Sequence, residues 1–174
     1  MSYTELYYVT PKKKVVAHAE FHNSHLGAMR VWVNLYKKYF QDRIAETKKL
    51  HGYEPSGPIS QEDYSILWKL FEKTDIPVDE RAVLGSTFDQ VILEKEHFDR
   101  FYEDCMKYAV YYPAGSLLYQ ATTIQKLSKR NVIGVCWNHS SVNGDMYDQL
   151  KGWAKNNELW SLYKNIDKKQ DGEG

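Results

Sequence analysis

Two alternating runs open the chain. Leu6–Val9 and Val15–His22 read as strands joined by a turn around Thr10–Lys14, with Pro11 in the turn, which makes a hairpin. In the second run the odd positions Val15, Ala17, Ala19 and Phe21 are apolar, while His18, Glu20 and His22 hold even positions. Side chains alternate faces along a strand, so these three polar groups are expected on one face.

The period then changes. Asn23-Ser24 is placed to cap a helix on which Leu26, Met29, Val33, Tyr36 and Phe40 recur at helical spacing, with Trp32 and Tyr39 widening the stripe. That helix is expected to run on toward Leu50, where His51-Gly52 offers a stop. Gly27 in its first turn is unfavourable by roughly 1 kcal/mol relative to alanine, which points to close packing or to room for a ligand. Ser60–Asp63 opens a second helix with an acidic first turn, and Tyr64, Leu67, Trp68 and Phe71 form its buried stripe.

Further on, a helical turn near Asp79–Leu84 and a strand at Val91–Leu93 are expected, with Thr87–Gln90 also fitting a capping box. A helix from Lys95 carries Phe98, Phe101, Cys105 and Tyr108 and breaks at Pro113. Another covers Ser116–Lys129, and Val132–Trp137 is the strongest buried strand, short and apolar between polar turns. Two closing helices are read at Asp145–Trp153 and Glu158–Asn165. The sum is an α+β fold in a single domain over 1–166. A small three- to four-stranded sheet, the N-terminal hairpin plus the strand near 132–137, is covered by helices. The polar, glycine-ended stretch 167–174 reads as a flexible tail.

Composition narrows the function classes. Lys+Arg and Asp+Glu both number 23, and this balance argues against general binding of nucleic acid or membrane surfaces, which rests on accumulated positive charge. Cys105 and Cys136 lie in apolar settings without motif spacing, which suggests a reducing compartment and a cytoplasmic protein. The start of the chain lacks the order of a signal peptide, and no run approaches a membrane span. Aromatic residues make up 14% of the chain, enough to furnish a contact surface, with Tyr7-Tyr8 and Tyr111-Tyr112 as exposed candidates.

Candidate chemistry gathers in two places. His18, Glu20 and His22 offer zinc- or manganese-type ligands, but residues four apart on a strand are separated by about 13 Å, too far to share one ion unaided. A solvent-facing strand face is the simpler reading. The second place is the loop of His139, Ser140, Ser141, Asn143 and Asp145, which follows a buried strand and leads into a helix. Asn23, Ser24 and His25 repeat that layout, and ligands in sheet proteins often sit at the carboxyl ends of strands. If the two strands are parallel neighbours, His25 faces His139.

Three function classes follow. The first is a small non-enzymatic binding or regulatory protein, of the accessory or inhibitor type common among bacterial and phage proteins. It would act through an aromatic-rich surface on a protein partner, without a cofactor. The alternative is a metal- or histidine-dependent hydrolase or phosphoesterase with His25, His139 and Asp145 as catalytic groups. A nucleotide or small-anion binder would use the same loops, with Asn23, Ser24, Ser140, Ser141 and Asn143 as ligand contacts and Trp137 or Trp32 as a stacking surface. A Ser140 or Ser141 triad with His139 and Asp145 is weaker, because GxSxG is absent.

Overall fold

The computed structural model describes residues 3–22 and 27–168. Strands β1 (Tyr3–Val9) and β2 (Val15–His22) form the expected hairpin. Its turn is closed by Thr10 N–H to the Lys14 carbonyl at 2.9 Å and Lys13 N–H to the Thr10 carbonyl at 2.8 Å. The pairing register steps from Leu6 opposite Ala19 to Tyr7 opposite Ala17, which leaves His18 as the extra residue of a β-bulge. The alternation read from the sequence is therefore interrupted at His18. Glu20 and His22 face solvent, whereas His18 is half-buried with its ring edge-on to Tyr8.

Helix α1 (Ala28–Tyr39) starts later than the Asn23-Ser24 cap implied, and Gly27 is its N-cap residue with φ 53°. That positive φ is the physical reason for a glycine there. The chain turns at Phe40 before α2 (Gln41–His51), so one long helix becomes two. Gly52, in the left-handed conformation, ends α2 as expected. Helix α3 (Gln61–Trp68) begins with a capping box in which Ser60 and Asp63 exchange side-chain and backbone bonds. A 3₁₀ turn at Lys69–Glu72 carries the chain toward α4 (Val78–Gly85).

After β3 (Val91–Glu94) come a 3₁₀ turn at Lys95–His97, α5 (Phe98–Tyr111), α6 (Leu117–Lys126) and a further 3₁₀ turn at Leu127–Lys129. Strand β4 (Gly134–Asn138), the short α7 (Ser140–Asn143), α8 (Tyr147–Lys155), β5 (Trp160–Ser161) and α9 (Leu162–Lys168) complete the order. The fold is α+β with a five-stranded sheet in the order β2-β1-β4-β3-β5, one strand more than the sequence pattern shows. β5 is the addition: its two residues pair parallel to β3, Val91 with Trp160 and Ile92 with Ser161, inside a stretch read as helix. Helix α9 continues to Lys168, past the predicted start of the tail, and the Arg100 guanidinium grips Asp167 with two bonds of 2.8 and 2.9 Å.

Strand β4 is buried along its whole length because both faces of the sheet are covered. Leu6, Leu93, Val135 and Trp137 point into the main core under α1, α4 and α5. Tyr7, Val9, Ile92 and Cys136 point to the other face, where Leu150 and Ala154 of α8 cover them. Both cysteines are buried free thiols, and burial raises the Cys136 thiol to about 12, so it stays protonated and inert. Tyr7 is also buried and stacks on Tyr147 at 5.2 Å, and Tyr8 packs against the core, so this pair is not the exposed surface expected of it. Tyr111, at 81% exposure, is. Among the described residues no helix is long and apolar enough to cross a membrane.

Candidate functional site

The predicted loop site divides into its parts. β1 pairs antiparallel with both β2 and β4, so β2 and β4 run parallel and finish at the same edge of the sheet. They are not neighbours: β1 lies between them and separates them by about two strand spacings, roughly 10 Å. Asn23, Ser24 and His25 lie outside the described residues, as does the side chain of Ser141.

His139 is a core residue. It is 4% exposed, its Nδ1 lies 3.2 Å from the Thr4 hydroxyl and its Nε2 lies 3.0 Å from the Ser86 carbonyl. A carbonyl only accepts, so Nε2 carries the proton and the Thr4 hydroxyl donates to Nδ1. With both nitrogens engaged in the core, neither is placed to act on a substrate. Ser140 donates to the Tyr3 carbonyl at 3.1 Å, and Asp145 accepts the Tyr147 N–H at 3.1 Å in the turn that leads into α8. The catalytic grouping of His139, Ser140 and Asp145 therefore resolves into separate structural bonds. Trp137 is 1% exposed, packs against Phe101 and donates Nε1–H to the Gln120 amide oxygen at 3.1 Å, which removes it as a ligand surface.

The metal alternative fares similarly. Among the described residues, the donor atoms of His18, Glu20 and His22 do not gather within 4.8 Å of one another, as strand rise and the bulge require. His22 instead packs on Tyr3 at 4.8 Å. Glu94, Glu96 and His97 do come that close together, but Glu94 already accepts from the Ser161 hydroxyl at 2.7 Å and pairs with Lys164 at 3.2 Å.

Burial holds the His139 imidazole below its ordinary range, against the opposing pull of the Ser86 carbonyl and of Asp89. The unfolded chain takes up this proton near pH 6.5 and the folded chain only at a lower pH. The stability carried by neutral His139 is therefore complete above about 6.5 and is lost as pH falls toward the folded value, by at most about 1.4 kcal/mol per pH unit. His18 is lowered in the same direction by burial and by Arg130. We expect urea unfolding between pH 7 and 5 to show a shallower loss of stability in His139→Gln than in the parent. Equal slopes would reject this account.

A cavity does form elsewhere among the described residues. A cleft of about 700 Å³ is walled by Trp32, Trp68, Phe71, Phe88 and Trp160. Trp32 comes from α1 and Trp68 from the end of α3, followed by Phe71 in the 3₁₀ turn. Phe88 lies in the turn between α4 and β3, and Trp160 begins β5. Two bonds tie the last pieces together: Trp160 N–H to the Gln90 carbonyl at 2.7 Å, and the Gln90 amide to the Glu158 carbonyl at 2.6 Å. Phe71 meets Trp160 at 4.9 Å and Phe88 at 5.7 Å, while Trp32 and Trp68 lie edge-on at 5.7 Å. Trp32 also donates to the Thr87 hydroxyl at 2.9 Å. Because His139 holds Ser86 next door, the buried histidine positions the turn that forms one side of the cleft.

Lys69, Glu72, Asp89, Gln90, Asn143 and Glu158 supply polar groups around those rings. Of the ligand residues expected from sequence, Asn143 and Trp32 do line the cleft. Trp68 and Phe71 were expected in a buried stripe, and Trp160 on a closing helix. Their only advance signal is that bulky aromatics crowd the ends of elements, next to polar turns. Fold and site together define an α+β protein with an aromatic-walled cleft of ligand-binding size. No protein-family model, no curated protein and no solved structure matches the chain.

Proposed function

We propose that this protein acts by binding, as a regulatory or accessory module, and that a protein partner places a side chain in the aromatic cleft. The observation that carries this reading is the cleft itself, about 700 Å³ with five aromatic walls. Ligand sites typically have this size and this balance of apolar wall to a few polar groups. Aromatic anchors received in such pockets also dominate protein interfaces. The loop histidine that a hydrolase would need is instead spent on Thr4 and Ser86.

Small side-chain analogues test the reading. Titrated into labelled protein, indole, phenol and the N-acetyl amides of norleucine and arginine include at least one that shifts amide signals of Trp68, Phe88 and Trp160 in a saturable way. Trp68→Ala weakens that binding by about ten-fold or more, in line with the loss of one aromatic wall. Shifts that map to other surfaces, or affinity unchanged in a folded Trp68→Ala, would overturn it.

A further inference from the structure

We infer that the group taken into the aromatic cleft is a cation, the guanidinium or alkylated ammonium of a basic side chain on the partner. This rests on the binding role proposed above and adds the chemistry of the occupant. Two independent features meet in one cavity. Trp68, Phe88 and Trp160 are partly exposed at the cleft, while Trp32 and Phe71 are nearly buried behind them and the Arg81 guanidinium already lies over the Phe71 ring at 5.6 Å. Such aromatic walls favour cations over anions. The ionisable groups among the lining residues are Glu72, Asp89 and Glu158 against Lys69 alone, three carboxylates to one ammonium.

Among the described residues none of those carboxylates is held in an ion pair, and with Lys69 counted the lining keeps an excess of negative charge. All three residues are exposed at the cleft. They stay hydrated until a ligand arrives, and the chain bears no cost of burying them in advance. The apolar stem of a basic side chain matches the rings, and its charged head matches the carboxylates. A nucleotide or other anion meets the opposite field, which removes the physical basis for an anion site here. A neutral apolar group fits the rings but gains nothing from the acids. The occupant that uses both features is an organic cation with an apolar stem.

The experiment compares side-chain analogues of similar reach on the full chain. N-acetyl-arginine amide and N-acetyl-trimethyllysine amide are titrated beside the neutral N-acetyl-norleucine amide and the anionic N-acetyl-glutamate amide, followed by tryptophan fluorescence and amide shifts. The cations bind about ten-fold tighter than norleucine, consistent with one or two cation–π contacts assisted by charge. Raising salt from low to roughly molar strength erodes that preference. The variant Glu72→Gln/Glu158→Gln, altered only at exposed positions, loses about five-fold for the cations and nothing for norleucine.

Norleucine binding as tightly as arginine, or glutamate binding best, overturns the inference while leaving the cleft as a binding site. Absence of saturable binding by every analogue, in protein shown to be folded, overturns both.

Discussion

Replacing Trp137 with alanine is expected to lower the stability of the protein by about 3–5 kcal/mol, the range for deleting a large buried aromatic side chain. Trp137 sits on the central strand β4, 1% exposed, with Phe101 of α5 against it at 5.8 Å. Truncation empties the space where the sheet meets α5. It also leaves the Gln120 amide oxygen, inside the core, without the indole N–H that it accepts at 3.1 Å. For a chain of this length each kcal/mol shifts the melting temperature by about 2–4 °C, so a fall of about 10 °C is expected. Trp137→Phe keeps most of the volume and loses the hydrogen bond, so its cost is smaller, about 1–2 kcal/mol. Calorimetry and urea unfolding measure both. The Phe variant also leaves binding at the cleft unchanged, and a changed affinity would reinstate the ligand role that burial removes.

The second large effect lies in helix α4. Glu80 of α4 is a buried carboxylate that receives Lys38 at 2.6 Å, the Tyr112 hydroxyl at 3.0 Å and the Tyr39 hydroxyl. It thereby ties α4 to the end of α1 and to the residue that follows α5. Glu80→Ala is expected to cost about 3 kcal/mol, the low end for breaking a buried ion pair. The reason for the low end is that the Lys38 side chain is 42% exposed and regains water when its partner goes. Burial and the neighbouring Glu80 raise the Tyr39 phenol to about 12, so it remains a donor at neutral pH. Glu80→Gln keeps the shape and an acceptor oxygen, and is expected to lose about half as much. Equal losses for Ala and Gln would show that the charge, not the contact, carries the network.

The secondary structure was legible wherever one local signal dominated. The Thr10–Lys14 hairpin, the helix start at Ser60–Asp63 and the Gly52 stop rest on contacts within a few residues, and each is present as read. Errors fall where a distant partner decides. Nothing in Trp160-Ser161 marks a strand, because two residues have no period; pairing with Val91 and Ile92 makes them one. The bulge at His18 is likewise imposed by the register against Leu6 and Tyr7. Phe40 interrupts a hydrophobic stripe that runs through it without a break in spacing.

The candidate site was less legible still. His139 drew attention as a polar residue beside serines and an aspartate, yet its bonding partners are Thr4 and Ser86, 135 and 53 positions away along the chain. No local pattern distinguishes a histidine that closes two such bonds from one that faces a substrate. Trp68 and Phe71 read as core because helical spacing reports only which face is apolar. It does not report whether another element covers that face completely.

The sequence by itself determined the class of the fold, the hairpin, the helix stops and the neutral overall charge, because these follow from periodicity, caps and composition. Only the tertiary structure decided that β1 lies between β2 and β4, that His139 and Trp137 are core, and that five aromatic residues from separate segments wall one cleft. The physical reason is range. Local propensity acts over a few residues, whereas a cleft is the space left where distant elements pack without meeting.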